Sequence, residues 1–366
     1  MKSSFVIAGI GTALPELSMS QEDAGAAAAL VSDFTVLEQR KLKQLYRSSG
    51  VNTRRSVLFE PATDGRSATQ SFYQRQTSPT DGGPTTAQRM QRYEQAAPDL
   101  AVEAASLALQ QADIPARRAT HLVTVSCSGF SAPGVDLALI DQLGLSRGIA
   151  RTHVGFMGCH GALNGLRVAH AFAAADPEAV VLLCAVELCS LHHNYGWHPD
   201  RLVANALFAD GAAAAVGFSR EGQAGTQWRL AANGSLVLPD TADLMSWRIG
   251  DHGFEMSLSA QVPHTIQSSL RPWMEAWLTT HNLTLADIKS WAVHPGGPRI
   301  LSAVDEALGL GPAALAPSRE MLAQCGNLSS PTVLFIVKEL QRNGAPRPCV
   351  SLGFGPGLAV EAALFV

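Results

Sequence analysis

The sequence has little surplus charge of either sign. Its 366 residues carry a formal net charge of −4, and no run of basic residues upsets that balance. A global attractive field for nucleic acid is excluded, so an anionic ligand has to be met by a local patch. Paired cysteines are also missing. The six cysteines, at 127, 159, 184, 189, 325 and 349, include no CxxC pair. A disulfide framework and a structural zinc site drop out together, and a reducing cytoplasm is the expected setting. No apolar run approaches the roughly 18 residues that span a bilayer, which excludes integral membrane association. Residues 1–10 imitate a signal peptide only loosely and read as a first buried strand. Gly9-x-Gly11 lacks the rest of a dinucleotide fingerprint, so a tight strand exit is expected there. His192, His193 and His198 fit no zinc spacing, and no metal is expected.

What is present is a rich apolar fraction, 46% of the residues, enough for a large core. Short apolar runs alternate with amphipathic stretches. Strands are expected at Phe5 to Ile10, His121 to Ser126, His153 to Phe156, Ala179 to Val186 and Leu207 to Phe218. Further strands are expected at Trp228 to Ala232, Ser290 to Val293, Cys349 to Gly353 and Leu358 to Phe365. Between them lie helices, including one over Gln21 to Leu45, one over Ala87 to Ala112 and one after Cys159. Glu60 to Thr86 reads as an exposed, mobile loop. This alternation implies an α/β layered chain. Two similar strand endings, Asp210-Gly-Ala-Ala-Ala-Ala-Val216 and Gly357-Leu-Ala-Val-Glu-Ala-Ala363, suggest two duplicated halves. The expected division is 1–225 and 226–366.

The chemistry centres on Val154-Gly-Phe-Met-Gly-Cys-His-Gly161. Glycines around Cys159 allow a sharp strand-to-helix turn that lifts the thiol, and the helix start beneath it favours thiolate. A nucleophilic thiol also needs a base. Trp291-Ala-Val-His294-Pro-Gly-Gly-Pro298 sets a histidine just past a strand. Cys325-Gly-Asn327-Leu-Ser-Ser-Pro331 sets an amide just before a helix. A neutral imidazole can take the thiol proton, and an imidazole N–H with an amide NH₂ can donate to an oxyanion or enolate. A basic cluster, Lys41, Lys43, Arg47, Arg54 and Arg55, is either a solvated helix end or a phosphate dock.

Together, Gly-Cys159, Leu207-Phe208-Ala-Asp-Gly211, His294-Pro-Gly-Gly-Pro, Gly-Asn327-Leu-Ser329-Ser and Gly353-Phe354-Gly355-Pro356-Gly357 resemble the type III polyketide synthases, the chalcone synthase family. The resemblance runs from about residue 5 to the end. It implies a thiolase-like five-layered αβαβα fold and a homodimer. It also implies iterative decarboxylative condensation of malonyl-CoA onto an acyl starter bound at Cys159, with His294 and Asn327 holding the enolate. CoA thioesters are then substrates, with no organic cofactor or metal. Phe208 matches the gatekeeper between CoA tunnel and cavity. Lys43, Arg47 and Arg54 are the candidates for docking CoA.

The departures from the plant members bear on substrate. Met256 stands where they have a second gatekeeper phenylalanine, and Trp247 where they have a small cavity glycine. Cys127 and Cys189 replace cavity threonines. Ala132 replaces the methionine that reaches into the partner subunit. Ser329 and the Gly353 to Gly357 loop complete the implied cavity. These changes resemble the bacterial branch, which implies a medium or long acyl-CoA starter and an alkylpyrone or alkylresorcinol product. The alternatives are a malonyl-CoA-only synthase of polyhydroxylated aromatics, a ketoacyl-ACP synthase III-like enzyme that stops after one condensation, and a thiolase-fold subunit that only binds acyl chains.

Overall fold

The computed structural model describes residues 4–62, 68–220 and 227–366. The first half of the chain opens with β1 (Ser4–Ala13), β2 (Ser18–Ser20), α1 (Gln21–Val31), α2 (Val36–Ser48), β3 (Thr53–Arg55) and the long α3 (Thr86–Ala112). It continues with β4 (His121–Ser126), α4 (Val135–Leu143), β5 (Ala150–Gly155), α5 (Gly161–Ala175), β6 (Val180–Leu188), α6 (Pro199–Leu207) and β7 (Asp210–Arg220). The second half starts with β8 (Arg229–Val237), a hairpin of β9 (Met245–Gly250) and β10 (Gly253–Leu258), and α7 (Val262–Thr279). It ends with β11 (Ser290–Val293), α8 (Pro298–Leu308), α9 (Ala316–Cys325), α10 (Thr332–Arg342), β12 (Cys349–Gly355) and β13 (Ala359–Phe365). The expected 225/226 division lies outside the described residues.

The main strands form one sheet in the order β11-β12-β13-β8-β1-β7-β6-β4-β5. Each half repeats one pattern. β4 runs parallel to β6, which pairs antiparallel with β7 and then β1. In the same way β11 runs parallel to β12, which pairs antiparallel with β13 and then β8. The halves meet at a short antiparallel join, Phe5 with Leu230 and Val6 with Arg229.

Strand periodicity sorts the core into slabs. Val181, Leu183 and Ala185 of β6 share a cluster with α5, α10 and the inner faces of β11, β12 and β13. Their neighbours Val180, Leu182, Cys184 and Val186 point the other way, into a cluster with α3 and α4. The outward residues Val350, Leu352, Ala362 and Leu364 pack with α7 and α8. Helix, sheet, helix, sheet, helix is the thiolase-like arrangement.

Three local expectations are corrected. Gly9 and Gly11 do not mark a strand exit, because both lie inside β1. A Cβ on either would fall onto the Ala108 or Ala104 carbonyl oxygen of α3. The glycines let the alanine face of α3 lie directly on the strand. The helix expected from Gln21 to Leu45 is two helices. Thr35 and Glu38 form a reciprocal capping box, with Glu38 accepting from the Thr35 amide at 2.8 Å, and that cap restarts the chain. The Glu60 to Thr86 segment, of which 63–67 fall outside the described residues, is not wholly exposed. Tyr73 is buried and its hydroxyl donates to the Ser190 carbonyl at 2.8 Å. The hairpin β9–β10 has no clear period in the sequence. Its register sets Trp247 opposite Met256.

Candidate active site

The thiol sits where the sequence places it. β5 ends at Gly155, a single 3₁₀ turn covers Gly158–His160, and α5 starts at Gly161. Gly158 has φ of +77°, and a Cβ there would lie 2.7 Å from Pro356 Cδ. Only glycine meets both demands. Cys159 is half-buried, and its neighbour His160 is buried with Nδ1 2.7 Å from Asn164 Oδ1.

Cys159, His294 and Asn327 line one chamber with Phe208, Met256 and Phe354. The three come from a helix start, a strand end and the turn after α9, elements far apart in sequence. Asn327 is buried, and its Oδ1 accepts from the Ser329 amide at 2.8 Å. That leaves its NH₂ to donate into the chamber. His294 is also buried, and neither ring nitrogen has a hydrogen-bond partner. A buried imidazole free at both nitrogens is costly unless a ligand completes it.

The electrostatics follow from burial. The Cys159 thiol is pushed up to about 12 by burial, against hydrogen bonds from Ser329 and Asn327 that lower it. His294 is pushed down to about 3, mainly by burial and further by His160. Each group alone is held neutral. Moving the thiol proton to the imidazole creates two opposite charges together, so each supplies what the other lacks.

A second chamber adjoins the first. Ala204, Phe208 and Met256 line both, so the two meet across those side chains. The second has a cavity volume of about 100 Å³, and its wall includes Cys189, Trp247, Ala24, Ala28 and Val31. Trp247 Nε1 donates to the Cys127 carbonyl at 2.7 Å, which closes the chamber on that side. Cys127 therefore lines neither chamber. Its sulfur lies 3.4 Å from Ser329 Oγ and 3.3 Å from Glu187. Ala132 lies on a separate surface pocket with Pro133 and Val135.

The C-terminal loop divides between cavity wall and support. Phe354 faces the catalytic chamber. A Cβ on Gly353 would lie 3.0 Å from His160 Cβ, one on Gly355 would strike the His160 ring, and Pro356 abuts Gly158. These residues seat the turn that carries Cys159. Gly357 lies away from the chamber, its carbonyl accepting from Thr241 Oγ1 at 2.9 Å.

The basic cluster divides. Lys43 and Arg47 are exposed on α2, each within 3.5 Å of Glu22, and remain open to solvent. Arg54 does not. It is buried, and its guanidinium donates to Gln21 Oε1 and to the carbonyls of Asn205, Ala206 and Phe208 at 2.7–3.2 Å. With its donors spent on the end of α6, Arg54 has none to offer a phosphate. It positions the segment carrying Phe208.

Sequence reasoning missed Glu187. This fully buried carboxyl accepts from the amides of Cys127 and Ser128 at 3.0 Å, from Ser128 Oγ at 2.6 Å and from Ser330 Oγ at 2.7 Å. Burial raises its pKa, against these hydrogen bonds. It ties the end of β4 to the Asn327 turn. The available signal was a lone charge at the end of an apolar strand.

Comparison with known proteins agrees with this site. The description "Chalcone and stilbene synthases, N-terminal domain" matches residues 2–219, and the corresponding C-terminal domain matches 229–366. The chain belongs to the chalcone and stilbene synthase family. It is 34% identical to a 1,3,6,8-tetrahydroxynaphthalene synthase of Streptomyces peucetius subsp. caesius, over 98% of this chain and 92% of that protein. It is 32% identical to the alpha-pyrone synthesis polyketide synthase-like Pks18 of Mycobacterium tuberculosis, over 98% and 90%. The crystal structure of PKS-I from the brown alga Ectocarpus siliculosus superposes with a TM-score of 0.91 at 28% identity, covering 100% of this chain and 98% of that one. As a member of this family the chain is a type III polyketide synthase, an acyltransferase that works by Claisen condensation on CoA thioesters. No helix among the described residues is long and apolar enough to cross a membrane.

Proposed function

We propose that this type III polyketide synthase loads a medium or long acyl-CoA on Cys159, extends it with malonyl-CoA, and releases an alkylpyrone or alkylresorcinol. The supporting observation is the pair of chambers meeting at Phe208 and Met256, one holding Cys159, His294 and Asn327, the other walled by small and apolar side chains of α1. His294 accepts the thiol proton as Cys159 Sγ attacks the starter thioester and CoA leaves. Malonyl-CoA then loses CO₂. The His294 N–H and Asn327 NH₂ donate to the enolate oxygen as charge builds on it. The enolate carbon attacks the Cys159 thioester carbonyl, the C–S bond breaks, the Cys159 thiolate leaves, and the chain, two carbons longer, is carried on the CoA of the extender. The apolar Phe208 face disfavours a carboxylate and favours its loss. CoA thioesters are the only organic ligands this scheme needs, and it uses no metal. Lys43 and Arg47 meet the CoA phosphates at the surface, and the enzyme works as a homodimer.

Ala24, Ala28 and Val31 offer an acyl tail an apolar wall with no hydrogen-bonding demand. The relative named for alpha-pyrone synthesis favours the same product class. The second reading, malonyl-CoA alone condensed to a polyhydroxylated aromatic, draws on the tetrahydroxynaphthalene synthase relative. Mass spectrometry of products from malonyl-CoA with a ladder of acyl-CoA lengths separates the two. Products that carry the alkyl tail are expected. Products from malonyl-CoA alone, indifferent to added acyl-CoA, would select the second reading.

A further inference from the structure

The chamber beyond Phe208 is apolar along α1, but its wall also carries a histidine ring with no protein partner. His193 lines this chamber. Its backbone is pinned on both sides, the amide donating to Tyr73 Oη at 3.3 Å and the carbonyl accepting from Arg89 Nη1 at 2.9 Å. Its ring lies 5.2 Å from the Tyr73 ring, tilted against it. Among the described residues, no protein group hydrogen-bonds either ring nitrogen.

The polar neighbours on the same wall differ in this respect. The two ring nitrogens of His192 are engaged, Nε2 with the Ser128 carbonyl at 2.7 Å and Nδ1 with the Phe254 amide at 2.9 Å. Tyr73 donates to Ser190, and Ser56 Oγ donates to Ser190 Oγ at 2.7 Å. The amide NH₂ groups of Asn194 and Asn205 donate to the carbonyls of His192 and Asn194. Arg55 spends Nη1 on the Pro15 and Glu16 carbonyls, and as a cation it offers only donors. Of these side chains, His193 is the one that keeps both a donor and an acceptor for whatever enters.

We propose that His193 is the residue that holds the oxygenated part of the polyketide chain in the chamber beyond Phe208, donating from one ring nitrogen and accepting at the other. A neutral imidazole offers one donor and one acceptor. A poly-β-keto chain offers the complement from two separate units, a carbonyl oxygen to the ring N–H and an enol hydroxyl to the other nitrogen. Burial, with the guanidiniums of Arg89 and Arg54 nearby, holds His193 down to about 3 and therefore neutral in the working range. A saturated alkyl tail gains nothing from this ring. His193 thus marks where the extended oxygenated segment lies, and the α1 wall marks where the tail lies. The inference rests on the reading that the growing chain passes Phe208 into this chamber.

The test measures binding without turnover. The probes are 4-hydroxy-6-methyl-2-pyrone, which carries the oxygenated pattern, and 1-decanol, which carries only the tail. Binding is followed by tryptophan fluorescence, because Trp247 lines the chamber. His193→Phe is expected to weaken the pyrone about ten-fold or more, as for two lost hydrogen bonds, and to leave decanol unchanged. His193→Gln keeps a donor and an acceptor and is expected to hold pyrone binding near the wild-type value. Equal pyrone binding in His193→Phe overturns the proposal. So does an equal loss of both probes, or a wild-type protein that does not bind the pyrone. With acyl-CoA and malonyl-CoA, His193→Phe is also expected to redistribute products while total CoA release persists. A wild-type enzyme that makes no tail-bearing product contradicts the starter assignment, and leaves the two-probe comparison to judge His193.

Discussion

Phe208 and Asn327 are joined backbone to backbone. The Asn327 amide donates to the Leu207 carbonyl at 2.8 Å, and the Ala209 amide donates to the Asn327 carbonyl at 2.9 Å. The proposed gate side chain and the amide proposed to face the enolate are therefore fixed to each other through the main chain. Arg54 holds this pair from below through the Phe208 carbonyl.

Cys159→Ala removes the acyl carrier and leaves His294 and Asn327 in place. Starter loading and product are expected to vanish while slow decarboxylation of malonyl-CoA survives, read by CO₂ release and by mass of the intact protein. Loss of both activities would contradict this separation of roles.

On the proposed mechanism, His294 compensates the thiolate charge. In His294→Ala the thiol is left to burial, which pushes it up. The half-point of iodoacetamide alkylation of Cys159 is expected to move upward by about one pH unit or more. An unmoved profile would show that the imidazole takes no part in ionising the thiol. The same variant, and Asn327→Ala, are expected to slow decarboxylation by about a hundred-fold, the scale of one lost enolate donor.

Arg54 and the surface cations separate in kinetics and stability. Lys43→Ala and Arg47→Ala are expected to raise KM for CoA thioesters with kcat and melting temperature nearly unchanged. Arg54→Ala leaves three buried carbonyls short of a donor, and is expected to cost about 3 kcal/mol in urea unfolding and to lower kcat. Unchanged stability in Arg54→Ala would restore it as a ligand-facing residue.

Glu187 tests the floor of the site. Glu187→Ala abandons several buried donors and is expected to destabilise by about 3 kcal/mol or more. Glu187→Gln retains an acceptor and should lose clearly less. Equal effects in the two variants would mean that the carboxyl only fills space.

Trp247 closes one side of the second chamber. Trp247→Gly removes the indole and its bond to the Cys127 carbonyl, opening the chamber toward Cys127. Product profiling is expected to show a shift to bulkier starters or further extensions, and an identical profile would take Trp247 out of the specificity wall.

Much of this was legible in the sequence because it is local. Strands read well where both faces are buried and the run is apolar, as in β4, β6 and β11. The thiol turn read well because its glycines sit beside Cys159. The α1–α2 break was missed because Ser32 to Thr35 interrupts an alanine-rich pattern without proline or glycine. The β9–β10 hairpin was missed because Trp247 and Met256 face a cavity, and its outer face has no apolar alternation to match.

The amino-acid order alone determined the family, the layered fold and the three residues proposed to handle carbon–carbon bond formation, because each rests on residue types at close spacing. Only the tertiary structure decided which other polar groups are free. Arg54 and Lys43 look alike in sequence, yet one is spent on α6 and the other faces water. His192 and His193 are adjacent, yet one ring is bonded at both nitrogens and the other at neither. The physical reason is that a hydrogen-bonding group is defined by the partner it has, and those partners come from segments 33 to 154 residues away.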